Sequence, residues 1–323
     1  IILEVVQTEE ERFKRTIFTG SELLDAKMED LKAQGKTEMS GADVFELYDT
    51  YGFPAEITEE ILSENKLTYN KEEFDAAMEE QKTRAREAID KSDSGWKKDG
   101  NDEIFKDLSN EFSGYSEVEG DTEITNIFMD DKKVDSIKAG DKALVVLANT
   151  PFYGESGGQI GDTGRITGDG FAMEVTDTQK TKGGLFLHSV KVTEGSAKVG
   201  AKAFAKIDDL RRDDIRRNHS ATHLLHAALR QVLGTHVHQA GSLVAPDRLR
   251  FDFSHYQAMT QEEIAKVERI VNEKILEAIP VVTEEKPLKE AKEEGVMGLF
   301  ESKYGEIVRV LKMGKFSMEL CGG

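Results

Sequence analysis

The chain has 323 residues, 38% of them hydrophobic and 33% charged, with a formal net charge of −19. That length exceeds one ordinary core and implies two or three domains, while the lack of any 18-residue apolar run excludes a helical membrane span. The acid excess excludes indiscriminate phosphate binding over the whole surface, and a single cysteine, Cys321, excludes an internal disulfide and suits a reducing compartment.

The opening stretch IILEVVQTEEER has neither a basic leader nor a small-residue cleavage site, so no secretory leader is expected and a cytoplasmic location is the default. The first 90 or so residues read as helices. Thr8 with Glu11 forms a capping-box pattern ahead of an apolar stripe through Phe13, Ile17, Leu24, Met28 and Leu31. Ser40 with Asp43 opens a second helix that Gly52-Phe53-Pro54 ends, a short helix follows from Thr58, and Asn70 caps a longer one rich in acid-to-base pairs. SDSGWKKDGND, residues 92–102, is polar, contains glycine, lacks a period and reads as a linker.

From about Glu103 the texture changes. Fourteen of the 28 glycines lie between Gly114 and Gly200, separating β-rich runs such as KALVVLA, FAMEVTD, LFLHSVKV and AKAFAKI, which predicts a small β-barrel. After about Asp208 a histidine-rich helix, a hairpin over GSLVAPDRLRFDFS, a helix started by Thr260 and Glu263, and strands at VVTEE, EIVRVLK and FSMEL predict α+β. The expected fold is multidomain: an N-terminal α-helical region over 1–95, a central glycine-rich β-barrel over 103–207 and a C-terminal α+β core over 208–323.

Charge is distributed unevenly over these parts. Residues 1–205 hold 25 basic and 43 acidic side chains, whereas residues 206–323 hold 18 and 19. In the nearly neutral part Arg211, Arg212, Arg216 and Arg217 lead into the histidine helix, an approach that could meet a phosphate backbone or form a solvated mixed-charge face.

The histidine helix reads HSATHLLH from His219 to His226. His219 and His223, four residues apart, share a helix face and can present two imidazoles to one tetrahedral ion. The protease form of this spacing has a glutamate where Ser220 stands, so zinc-protease chemistry is not expected. Spacing alone leaves both a metal site and a packed histidine pair open. FSMELCGG adds a soft ligand, Cys321, at the end of a β-like run, although lone cysteines are often simply buried.

RRNHSATHLLHAALRQVLGTHVHQAGSLV, with SMELCGG about a hundred residues later, resembles the editing domain of the alanyl-tRNA synthetases. FYGESGGQIGDTG, residues 152–164, resembles the glycine-rich loop of that family's editing barrel, and LYDTYGFPAEIT resembles the end of its tRNA-recognition region. Taken alone, the glycine loop would be explained as well by tight turns, since it lacks the GK[ST] of a P-loop. The resemblance covers essentially the whole chain, and no segment resembles the aminoacylation core, so ATP is expected only for that absent part.

The resemblance implies a Zn2+ site built from His-x-x-x-His, here His219 and His223, and from Cys-x-x-x-His, of which Cys321 is present. The position of that last histidine falls two residues past Gly323, which implies weaker metal retention. His226 is expected to pack behind the ligands, and His188 and His255 to be structural. His236 and His238 alternate as in a strand. The family's pattern marks Thr222 and Gln239 as residues lining the editing pocket.

The implied activity is hydrolysis of mischarged seryl- or glycyl-tRNA(Ala), with tRNA(Ala) as partner, no membrane partner and an undetermined oligomeric state. Arg216, Arg217, Asp49 and Glu56 are the expected tRNA contacts, the two acids because carboxylates can accept from a guanine amino group in the minor groove. A non-catalytic tRNA-binding module with a structural zinc is the alternative.

Overall fold

A computed structural model describes residues 2–92, 102–296 and 305–322, so most of the linker predicted over 92–102 lies outside the described residues. The chain separates into two units, Ile1–Asp99 and Gly100–Gly323.

The first unit holds α1 (Ile2–Ala33), β1 (Glu38–Met39), α2 (Gly41–Asp49), α3 (Ala55–Glu64), β2 (Thr68–Tyr69) and α4 (Lys71–Ser92). Its core contains Leu24, Met28, Val44, Leu47, Phe53, Leu62 and Phe74, and β1 pairs with β2 in parallel. Ser40 caps α2 by accepting from the Asp43 amide at 3.1 Å, and Asn70 Oδ1 accepts from the Glu73 amide at 3.1 Å at the start of α4.

Three local expectations are corrected here. α1 already runs from Ile2, so Thr8 sits inside it and caps nothing; the residues before it include no Gly or Pro to break the helix. Phe13 is 54% exposed, and burial on the predicted stripe begins with the partly buried Ile17. α3 starts at Ala55 behind an extended Pro54, and the buried Thr58 hydroxyl donates back to the Pro54 carbonyl at 3.3 Å.

The second unit opens with the short α5 (Asp102–Phe105) and β3 (Glu111–Phe112). The strands β4 (Glu119–Met129), β5 (Lys132–Val134), β6 (Ser136–Lys138), β7 (Lys142–Leu147), β8 (Asn149–Thr150), β9 (Gly164–Gly168), β10 (Phe171–Lys180), β11 (Phe186–Lys198) and β12 (Lys202–Ile207) follow. Six of them close into a barrel in the order β10-β9-β12-β4-β7-β11 and back to β10, every pairing antiparallel. Strict alternation drives this: in β12, Ala203, Ala205 and Ile207 point inward among Ile124, Val145, Ile166, Met173 and Val190.

Beyond the barrel come α6 (Asp209–Leu233), β13 (Gln239–Val244), β14 (Leu249–Phe253), α7 (Gln261–Leu276), β15 (Val281–Pro287), α8 (Leu288–Glu293), β16 (Ile307–Met313) and β17 (Ser317–Leu320). β13 and β14 form the predicted hairpin, and β15-β16-β17 an antiparallel sheet. Asp208 caps α6 and a full Thr260–Glu263 capping box starts α7. Leu224 packs with Leu311, Met313 and Cys321, and Leu229 with Val237 and Val267, so α6 lies between the hairpin, α7 and β17.

One buried ion pair ties α6 to the barrel side. Arg212 Nε lies 2.9 and 3.0 Å from the two Asp162 oxygens, Arg212 Nη2 bonds Asp162 Oδ2, and the guanidinium also donates to Gly114 O at 2.8 Å and Pro151 O at 3.0 Å. No helix of the described residues is long and apolar enough to cross a membrane.

Candidate metal centre

Cys321 directly follows β17 and lies opposite the middle of α6. A strand places alternate residues on one side, so Ser317, Glu319 and Cys321 all turn toward the buried face while Met318 and Leu320 lean outward. On α6, His219 and His223 stack with ring centroids 5.3 Å apart and planes 18° apart. His219 Nε2 lies 3.3 Å from Cys321 Sγ, and the ligand atoms of His219, His223 and Cys321 all fall within 4.8 Å of one another.

These three residues fit a divalent soft metal. A tetrahedral zinc ion spaces its nitrogen and sulfur ligands by roughly 3.3–3.6 Å, which small side-chain adjustments reach from the observed cluster. His223 Nε2 is buried and shares one small space with the donor atoms of His219 and Cys321. Among the described residues this is the one His/Cys/Asp/Glu group of that compactness.

Opposite charges balance one another around these donors. Burial works against ionisation of Cys321, yet His219 and His223 beside it hold the thiol down at about 5. Burial likewise opposes charge on His223, but the Cys321 thiolate and Glu319 outweigh it and lift the imidazole to about 9. The Glu319 carboxyl is buried too, and bonds from His223 and His226 still pull it down to about 2. Without an ion, the Cys321 thiolate and the Glu319 carboxylate are balanced by the imidazolium of His223 that lies between them.

Two polar residues that sequence reasoning missed stand behind the donors. Gln159 Oε1 contacts His219 Nδ1 at 2.7 Å, and Glu319 contacts His223 Nδ1 at 2.8 Å and His226 Nδ1 at 3.0 Å. An acid on the inward phase of FSMELC was a readable signal for Glu319. Gln159 carried none, because only the approach of the glycine-rich loop to α6 brings it there.

The other expected site residues are placed as follows. His226 is buried against Glu319 and Phe251, outside the three-donor cluster. Thr222 is buried beside His223 and its hydroxyl donates to the Asn218 carbonyl at 2.8 Å, leaving an acceptor lone pair. Gln239 begins β13 and donates from Nε2 to Ser242 Oγ at 3.1 Å. Neither makes a direct hydrogen bond to the cluster.

Arg216 and Arg217 are exposed and paired with Asp213 and Asp214 one turn back. Asp49 accepts from Gln81 Nε2, and Glu56 is exposed in the first turn of α3. His236 and His238 lie between α6 and β13, not in a strand, because Gly234 ends the helix and the chain turns before pairing begins; His236 instead stacks on His255 and packs at a tilt against Tyr256. His188 is interior to the barrel, bonded to Thr150 Oγ1 at 2.8 Å and Val145 O at 2.9 Å.

Residues 1–211 match the family described as tRNA synthetases class II (A). The chain is 47% identical over 326 residues to an alanine-tRNA ligase of Carboxydothermus hydrogenoformans, covering 99% of this chain. It is likewise 47% identical over 323 residues to an alanine-tRNA ligase of Acetivibrio thermocellus, covering all of it. The chain spans about 37% of the length of either relative.

Proposed function

Because the chain belongs to the class II (A) tRNA synthetase family, with alanine-tRNA ligases among its relatives, we propose that its second unit is a zinc-dependent deacylase that clears mischarged seryl- or glycyl-tRNA(Ala). The observation that carries this reading is the convergence of the donor atoms of His219, His223 and Cys321 within 4.8 Å of one another. A synthetase for alanine needs such a second site. Glycine lacks one methyl and serine adds one hydroxyl, and one pocket separates such differences by only about 1–3 kcal/mol.

His219, His223 and Cys321 are the residues that hold the zinc. When bound, the ion supplies Lewis acidity for an attacking water or orients the ester. In the hydrolysis a water oxygen bonds to the ester carbonyl carbon, the bond to the tRNA ribose oxygen breaks, and that oxygen leaves with a proton. Thr222, its own proton committed to Asn218, offers a lone pair to the serine hydroxyl, and Gln239 offers its free amide positions. Alanine can make neither contact, and the polar atoms it would leave unpaired disfavour it against serine; this discrimination serves the seryl ester, since glycine has no hydroxyl to offer.

In this reading residues 1–95 serve tRNA recognition, 103–207 form the barrel of the editing domain and 208–323 form its metal-bearing core. Arg216 and Arg217 lie along the RNA path from exposed positions at the start of α6, and Asp49 and Glu56 read the acceptor stem. The work is cytoplasmic, where tRNA is charged. ATP belongs to an aminoacylation core outside these residues.

The test is the deacylation rate of seryl-tRNA(Ala) and alanyl-tRNA(Ala) by the chain, zinc-loaded and after chelation. Zinc-dependent hydrolysis that spares alanyl-tRNA is expected, with the preference lost in Thr222→Val and tRNA affinity lowered when Arg216 and Arg217, or Asp49 and Glu56, are neutralised. Zinc retention with tRNA binding but no hydrolysis would replace the deacylase with a non-catalytic tRNA-binding module.

A further inference from the structure

The outer side of each metal-facing imidazole is held by a residue that has no role in the reading above. Gln159 comes from the glycine-rich loop and Glu319 from β17, so two separate elements grip the two rings from behind. A side-chain carbonyl and an ionised carboxylate can only accept, so the hydrogen lies on Nδ1 of His219 and of His223. An imidazole that ligates an ion is neutral and carries one hydrogen, so with Nδ1–H held from behind, each ring would present its Nε2 lone pair on the side of Cys321.

Glu319 is itself immobilised. Its Oε1 accepts from His226 Nδ1 at 3.0 Å and from Ser317 Oγ at 3.2 Å, which leaves Oε2 to His223 at 2.8 Å. Held on both oxygens, the carboxylate acts through the ring in place of swinging in as a ligand.

Gln159 has no charge to give and does its work by position. It is 5% exposed, in a loop fastened to β13 by the bonds from Ile160 N to Val244 O at 3.2 Å and from Val244 N to Gly158 O at 2.7 Å. His219 orientation therefore depends on how the loop from the barrel side is seated.

We propose that Gln159 and Glu319 are positioning residues of the metal centre, fixing the tautomers of His219 and His223 so that both present Nε2 to the ion. This rests on the metal reading above and deepens it. Partners of this kind typically contribute a factor of about 10 to 100 in metal affinity.

The experiment is chelator competition for zinc by the full chain and by Gln159→Leu, Gln159→Glu and Glu319→Gln, with the visible spectrum of each cobalt-substituted protein recorded alongside. Gln159→Leu and Glu319→Gln are each expected to bind zinc roughly 10- to 100-fold more weakly and to alter the cobalt bands. Gln159→Glu keeps an acceptor oxygen against His219 and is expected to retain both affinity and spectrum. Should Glu319→Gln lose its fold by circular dichroism, the Gln159 pair decides.

Affinities and spectra of Gln159→Leu and folded Glu319→Gln that match the unsubstituted chain would overturn the proposal. Ester hydrolysis is scored separately, so tight zinc binding without turnover removes the deacylase and leaves the positioning roles standing. An unsubstituted chain that retains no zinc overturns both.

Discussion

His188 shows how a titratable side chain can be wholly structural. Its Nδ1–H donates to Val145 O, its Nε2 accepts from the Thr150 hydroxyl, and Thr150 Oγ1 accepts in turn from the Phe152 amide at 3.1 Å. Every polar atom is thus used in the neutral form. Burial lowers its pKa from 6.5 to about 4, so between those values the unfolded chain holds a proton that the native chain refuses. Stability therefore rises with pH across that window and falls by about 3 kcal/mol as pH drops from 6.5 to 4. Urea unfolding of the chain and of His188→Gln at pH 7 and 4.5 checks this: the advantage of histidine should shrink by about 2–3 kcal/mol at the lower pH. An advantage equal at both values would reject the neutral-histidine account. The Asp162–Arg212 pair follows the other rule for buried ionisable groups, in which both charges are kept and each is surrounded by partners, the backbone amide of Tyr153 donating to Asp162 at 2.7 Å.

At the scale of elements, the loop over 152–163 brings Gln159 behind His219 and Asp162 to Arg212, and its glycines have steric reasons. Gly158 sits at φ +86°, and a β-carbon there would lie 2.3 Å from Ser242 Oγ and 2.7 Å from Ser242 O. Gly161 passes equally close, with 2.0 Å left between such a carbon and the Thr178 carbonyl. The loop can therefore lie flat between the hairpin and the barrel, Gln159 reaches His219, and Asp162 reaches Arg212. Gly158→Ala is expected to destabilise the second unit by about 1–3 kcal/mol through overpacking and backbone strain, and to weaken zinc retention by displacing Gln159. Denaturant unfolding together with chelator competition reads both effects; an alanine variant as stable and as retentive as the parent would mean the loop has another way to seat. α6 is the complementary element, continuous from its Asp208 cap to Gly234, so that Arg212 at one end and His223 in the middle are set by one rigid rod.

Across the whole molecule, the two units have separate cores: one built around Leu47, Phe53 and Leu62, the other containing the barrel interior and the α6 packing. Expressed as residues 1–99 and 100–323, each is expected to melt cooperatively, the first with a helical and the second with a mixed circular dichroism spectrum. A second piece that melts without cooperativity would show that its core is completed by the first. Much of this arrangement was legible in the amino-acid order. The i, i+4 histidines, the caps at Ser40, Asn70 and Thr260 and the alternation of the barrel strands are local signals. Helix faces, capping bonds and strand phase depend on residues within a few positions of one another. The overextended reading of the Thr8 cap and of Phe13 shows the limit of such signals, since helix length and stripe burial depend on what the rest of the fold supplies. Only the tertiary structure decided that Cys321 meets His219 across 102 positions, that Gln159 meets the same ring across 60, and that one carboxylate serves both His223 and His226. Contacts at that separation follow from how sheets and helices pack, and no local period encodes them.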